Sequence, residues 1–166
     1  MYNKVTEFIE DWNYESGSTL KVFENLTDGS LSFKPNKNVR SPGKLAWHIV
    51  TSLGEMVHRT GLKFDTVAED SPVPITVNKI YEEFKRTSDK MINAIEQEWN
   101  DNTLQKEVDM YGEIWKINKV LSVVVKHQTH HRGQLTVIMR LAGLKVPGVY
   151  GPAKEEWANI GMEAHE

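Results

Sequence analysis

Four long stretches of the chain repeat apolar side chains at the spacing of one helix face. These stretches cover residues 5–26, 42–61, 76–99 and 117–142. Apolar residues three and four positions apart form a stripe along an α-helix, and such a stripe is buried against neighbouring elements. Four helices of this kind, joined by loops, predict an all-α fold, an up-and-down four-helix bundle, with residues 1–166 as a single domain.

Residues that commonly begin and stop helices stand at the ends of these stretches. Ser41 followed by Pro42 supplies an N-cap hydroxyl and a proline at the first helical position. Gly61 and Gly143 suit the C-terminal ends of the second and fourth helices. The sequence therefore places these boundaries to within a few residues.

Three segments do not follow the helical pattern. Residues 104–115 predict a short extended segment or hairpin before the last long helix. Residues 146–152 are rich in proline and glycine and predict an extended loop. Residues 153–160 are expected to form a short closing helix.

The composition excludes several classes of function. The 166 residues are 39% hydrophobic and 26% charged, and none is cysteine, so disulfides, thiolate ligands and a cysteine nucleophile are excluded. A net charge of −3 argues against a nucleic-acid partner. The N-terminus lacks a signal-peptide pattern, and the longest apolar run, residues 120–125, is too short to cross a bilayer. We expect a soluble, cytoplasmic protein without a membrane partner.

Two histidines lie one turn apart within the apolar stripe of the fourth helix. His127 and His131 have the i and i+4 spacing that lets one helix hold a metal ion with two ring nitrogens. Burying two imidazoles without partners is costly, and a bound metal would remove that cost. The pair therefore predicts a metal site.

A third donor is needed, and His48 on the stripe of the second helix is the leading candidate. One histidine from the second helix and two from the fourth would leave other coordination positions to water or substrate. This is the pattern of a catalytic rather than a structural metal.

Glu55 and Gln134 are further candidates near this site. Glu55 follows His48 by seven residues and is a candidate general base. Alternatively, it hydrogen-bonds a ligand or forms a salt bridge with Arg59 at i+4. Gln134 is expected to point inward and to bond a ligand histidine or to cap a polar pocket.

The remaining histidines are weaker candidates. His130 points away from the other two around the helix and is expected to be a neighbour rather than a ligand. His58 and His165 are expected at the surface. Arg132 is expected to form a structural ion pair.

The chain resembles the DinB-like family of metal-binding four-helix bundles. The resemblance rests on residues 45–49 (LAWHI), 127–135 (HQTHHRGQL), 143–144, 147 and 150–152. It implies that His48, His127 and His131 bind a divalent ion, often nickel or zinc. Characterised relatives include S-transferases and isomerases that use low-molecular-weight thiols such as bacillithiol or mycothiol, while most members have no assigned reaction.

Three functions remain open at this point. The first is a metal-dependent enzyme, a low-molecular-weight-thiol S-transferase or a hydrolase. The second is a non-enzymatic, stress-associated metal-binding module. The third, a nucleic-acid binder, has no support from the charge. Nickel or zinc are the expected metals, with iron, copper and manganese as alternatives.

Two expectations concern packing. Gly133 in mid-helix, together with the surplus apolar residues Val123, Val125 and Val137, predicts close backbone approach and a homodimer. A substrate pocket is expected where small polar side chains, Ser16, Thr19 and Ser52, interrupt the stripes.

Overall fold

The computed structural model describes residues 1–164. Its four long helices are α1 (Val5–Glu24), α2 (Pro42–His58), α3 (Val77–Glu98) and α4 (Ile117–Leu141). Strands β1 (Glu107–Met110) and β2 (Glu113–Lys116) pair antiparallel between α3 and α4. The prediction of an all-α bundle with a hairpin before the last long helix is confirmed.

The helix ends follow local capping chemistry. The Ser41 hydroxyl accepts a hydrogen bond from the Lys44 amide at the start of α2, and Pro42 is the first helical residue. After α4, Gly143 has a φ of 76°, and the next amide, from Leu144, donates back to Met139. This left-handed turn closes the helix as glycine allows. Helices α1 and α2 each end two or three residues earlier than expected.

The predicted closing helix forms as a 3₁₀ helix, Lys154–Ile160. Two further 3₁₀ turns, Asp28–Ser30 and Asp101–Gln105, lie in the connections after α1 and α3. Residues 146–148 have no regular secondary structure and lead into bends at residues 149–151, as the proline and glycine content predicts.

Each long helix packs extensively against two others. Helices α1 and α4 are neighbours, as are α4 and α2, α2 and α3, and α3 and α1. Consecutive helices α1 and α2 therefore lie diagonally, as do α3 and α4, and long connections join them. This order places α2 directly against α4, the two helices that carry the candidate histidines.

A continuous hydrophobic core receives side chains from all four helices. Its largest fully buried members are aromatic: Trp12, Phe8, Phe23 and Phe84. Burying a large side chain of this kind contributes roughly 2–3 kcal/mol, so these residues dominate the packing that fixes the helices. Among the helices of residues 1–164, none has a window apolar and long enough to cross a membrane.

Candidate metal centre

Three histidines from α2 and α4 meet between the two helices. One ring nitrogen each from His48, His127 and His131 lies within 4.8 Å of the others. The ring centroids are 4.4 Å apart for the pair on α4, and 5.0 and 4.5 Å from His48 to His127 and His131. The three residues that the sequence singled out are therefore brought together.

The proton position on His131 leaves a nitrogen lone pair directed at the ring of His127. The Nδ1 of His131 lies 2.7 Å from the Oε1 of Gln134, an oxygen that can only accept, so the proton resides on Nδ1. The Nε2 of His131 then presents a lone pair toward the Nε2 of His127, 3.2 Å away. The Nδ1 of His127 is buried without a hydrogen-bond partner.

This donor set fits a cation. Without one, the His127 proton either lies between the two Nε2 atoms, leaving a bare buried Nδ1, or lies on Nδ1, leaving two lone pairs opposed. A cation between the Nε2 atoms would convert opposed lone pairs into coordinate bonds. Three imidazoles with one ring nitrogen each within 4.8 Å of the others are a donor set that zinc, nickel, copper and iron accept.

Burial keeps all three imidazoles neutral near pH 7. Desolvation is the largest cause in each case: it lowers the pKa of His127 to about 4 and lowers the pKa values of His48 and His131. Repulsion between the rings lowers the pKa values of His48 and His127 further. Neutral rings carry the lone pairs that metal binding requires.

Glu55 lies near the histidines but is not among the converging donors. Its carboxylate accepts a hydrogen bond from the Nε of Arg59 at 3.0 Å, so the expected i,i+4 salt bridge is present. Its negative charge acts to raise the pKa values of His48 and His127, so its field reaches the centre.

Tyr111 contacts Glu55, and the sequence did not reveal this contact. It lies in the two-residue turn of the hairpin with a φ of 60°, and its hydroxyl donates to Glu55, 2.9 and 2.8 Å from the two carboxylate oxygens. The guanidinium of Arg59 packs 4.4 Å from the ring centroid. Burial and the Glu55 carboxylate raise the pKa of Tyr111 to about 12, so its hydroxyl keeps its proton.

Two buried polar side chains of α4 lock its position. Gln128 donates from its Nε2 to the carbonyl of Ile49 at 2.9 Å, joining the residues that follow His127 and His48. Arg132, next to His131, forms a buried ion pair with Glu15 of α1. The ion pair expected for Arg132 is confirmed; the Gln128 contact was missed, because only the packing of α2 against α4 reveals its acceptor.

The other histidines lie apart from the centre. His130 is exposed, and its ring packs 4.9 Å from that of His131. The Nε2 of His58 is 3.0 Å from the carbonyl of Phe64. His58 is half-buried and not fully at the surface, as had been expected of it. The expectation for His165 falls outside the described residues.

The prediction of a pocket at Ser16, Thr19 and Ser52 is wrong. The hydroxyls of Ser16 and Ser52 donate to backbone carbonyls of their own helices, and the guanidinium of Arg132 occupies the space beside Thr19. A cavity of about 530 Å³ lies instead beside His131. Its walls come from the segment before α2, from α2 itself and from the second half of α4.

Gly133 is exposed, and no atom outside its own helix and chain neighbours lies within 4 Å of the place of a Cβ. The close approach expected within the bundle is therefore absent in this part of the described chain. A role at an interface between two copies stays a prediction.

Comparison with known proteins gives a consistent result over the whole chain. The sequence matches the model of the DinB family over residues 1–165. The "Uncharacterized protein YrdA" of Bacillus subtilis (strain 168) is 40% identical over 164 residues, which are 99% of this chain and 98% of that protein.

Two solved structures are also similar. A crystal structure of a DinB-like protein from Bacillus cereus ATCC 10987 has a TM-score of 0.87 and 39% identity, covering 90% of this chain and 100% of its own. A DinB-like protein from Bacillus subtilis, YjoA, has a TM-score of 0.67 and 19% identity, covering 86% of this chain and 97% of its own. The second likeness concerns the fold alone.

Proposed function

The chain belongs to the DinB family, and on that premise we propose that it is a metal-dependent enzyme. His48, His127 and His131 bind one divalent cation, nickel or zinc in the first place and iron, copper or manganese otherwise. The reaction is transfer of a low-molecular-weight thiol to an electrophile. The observation that carries this proposal is the convergence of three neutral imidazoles beside a cavity.

The number of protein donors favours a catalytic over a structural metal. Among the described residues, the converging group has three histidines and no carboxylate. Glu55, a candidate for a fourth ligand, is already engaged by Arg59 and Tyr111. A three-nitrogen site leaves further positions for a substrate, whereas structural zinc sites are closed by four protein ligands.

A divalent cation held by neutral ligands keeps its full charge and lowers the pKa of a bound thiol or water. The chain contains no cysteine, so a thiol must come from a small molecule. The cytoplasm, where small thiols are kept reduced, is the compartment that suits this reaction. Hydrolysis by metal-activated water would use the same residues and is the alternative that the experiment below separates.

The neighbouring side chains have distinct roles in this proposal. Gln134 orients His131 and keeps its proton on Nδ1. Glu55 accepts the proton that the incoming thiol releases. Arg59 and Tyr111 hold its carboxylate in place from two sides.

The first test measures metal content. We expect one metal per chain by elemental analysis of the purified protein and its loss in His127→Ala and in His131→Ala. His130→Ala is the matched control, because its ring is a neighbour and not a converging donor. Full occupancy in both single variants would refute the assignment of ligands.

The second test measures chemistry. A panel of low-molecular-weight thiols is offered with an electrophilic dye to wild type, His131→Ala and Glu55→Gln. We expect metal-dependent conjugation in wild type, none in His131→Ala, and a slowed rate with full metal content in Glu55→Gln. If no thiol reacts faster than with the metal-stripped protein, transferase activity is ruled out in favour of hydrolysis or a non-enzymatic module.

A further inference from the structure

Arg40 differs from the arginines that are paired with a carboxylate. Arg59, Arg86, Arg132 and Arg140 each form a salt bridge with an aspartate or glutamate. Within residues 1–164, Arg40 forms none, and its side chain is exposed just before the N-cap of α2. Its guanidinium therefore has all of its N–H donors available to a ligand.

Arg40 lies in the wall of a cavity beside the candidate metal centre. It lines the cavity of about 530 Å³ whose wall also contains His131 and Gln134 of the candidate metal centre. A ligand seated in this cavity can thus reach both the guanidinium and the centre.

The rest of the wall indicates what kind of ligand fits. Of the described residues that line the cavity, the one further polar side chain is Asn38, and none carries a carboxylate. Four aliphatic side chains complete the wall: Val39, Leu45, Val137 and Ile138. A single cation above an aliphatic surface suits a molecule with one negative charge and an apolar body.

We propose that Arg40 binds the carboxylate of the substrate, so that the enzyme acts on small organic carboxylates with an apolar body. The planar guanidinium pairs with both oxygens of a carboxylate, and the apolar part lies against the aliphatic wall. The opposite end of the substrate then faces His131. A phosphate dianion fits less well, because the described part of the wall offers no second lysine or arginine.

This inference rests on the proposed function for the reaction, but it can be tested by binding alone. The probes are hexanoate and its neutral counterpart hexanamide, titrated by NMR into metal-stripped full-length protein freed of chelator. The proteins are wild type, Arg40→Gln and Arg86→Gln. The last removes the same charge from α3, away from the cavity.

We expect hexanoate to bind wild type about tenfold more tightly than hexanamide, the size of one charge-assisted contact at a partly exposed site. Arg40→Gln should lose that preference while binding hexanamide as wild type does, and Arg86→Gln should keep it. Arg40 has no salt-bridge partner within the described chain to lose, so unchanged thermal unfolding of Arg40→Gln verifies that the fold is intact.

Equal binding of the two probes to wild type, no detectable binding of hexanoate, or an unchanged preference in Arg40→Gln would each overturn the proposal. A repeat with zinc-loaded protein separates it from the proposed function. Carboxylate binding that requires zinc and ignores Arg40 refutes the role of Arg40 and leaves the metal centre standing. A preference for hexanoate that depends on Arg40, in a protein that takes up no metal, supports the role of Arg40 and refutes the metal centre.

Discussion

The Nδ1 atom of His131 lies 2.7 Å from the Oε1 atom of Gln134, one turn further along α4. An amide oxygen at this position fixes the tautomer of the ring, because it accepts the Nδ1 proton and leaves Nε2 free to bind a metal. The same contact restricts rotation of the ring. Gln134 thus orients one of the three candidate donors.

Replacing Gln134 tests this relationship. We expect Gln134→Leu to weaken metal binding by about 10- to 100-fold, as loss of such a supporting hydrogen bond does in other sites. Gln134→Glu keeps an acceptor and should retain most of the affinity. Competition with a chromophoric chelator measures both, and equal affinity of Gln134→Leu and wild type would contradict the assigned role.

The ion pair between Arg132 and Glu15 is expected to be critical for stability. Their side chains are 3% and 6% exposed, and the Nη2 of Arg132 is 2.5 Å from Glu15 Oε2. Removing one partner leaves a buried charge uncompensated, so Glu15→Ala should lower the free energy of unfolding by about 3–5 kcal/mol in urea titrations. Glu155→Ala, which breaks the exposed pair with Arg140, should cost far less. Comparable losses would argue against this account.

The stability of the metal-free protein should depend on pH through the histidines. The pKa of His127 is lowered from 6.5 to about 4 in the folded state, chiefly by burial, and those of His48 and His131 are lowered too. Between pH 6.5 and about 4, the histidines of the unfolded chain bind protons that those of the folded chain do not. Stability is therefore complete above pH 6.5 and falls as the pH drops toward 4.

Urea midpoints at several pH values measure this dependence in metal-stripped protein. His127→Gln has one titrating group fewer, so its midpoints should fall less steeply between pH 6.5 and 4 than those of wild type. Parallel curves for the two proteins would show that His127 is not the group responsible.

Tyr111 is expected to matter for rate and not for metal content. Tyr111→Phe removes the hydrogen bond that the hydroxyl shares between the two Glu55 oxygens but keeps the ring against Arg59. We expect metal-dependent thiol transfer to slow on the order of tenfold, because the Glu55 carboxylate proposed to accept the proton loses one of the two contacts that hold it in place. Tyr14→Phe loses a hydroxyl that binds the carbonyl of Val149, away from the centre, and is the matched control. An unchanged rate in Tyr111→Phe would remove Tyr111 from the site.

A homodimer is expected through the outer face of α4. Gly133, Val137 and Leu141 lie one turn apart along it, and the two apolar side chains are each 59% exposed. Leu141→Lys should shift a dimer toward monomer in sedimentation velocity at micromolar concentration. Ile75→Lys alters an even more exposed aliphatic residue away from this face and should not. A wild-type monomer under these conditions would disprove the prediction.

The sequence by itself determined the features that depend on neighbouring residues. Two helices start where the hydroxyls of Ser41 and Thr76 accept a hydrogen bond from the amide three residues later. Helix α4 ends at the left-handed backbone turn of Gly143. The spacing of His127 and His131 follows from helical geometry alone. Such features are local because the hydrogen bonds that create them close within one turn.

Only the tertiary structure decided which distant groups meet. Glu15 lies 117 residues before Arg132, and Tyr111 lies 56 residues after Glu55. The cavity beside His131 arises where the segment before α2 passes α4, and the expected pocket at Thr19 is filled by Arg132. These contacts depend on which helices are neighbours and which diagonal, and burial of the whole core sets that arrangement rather than any local pattern.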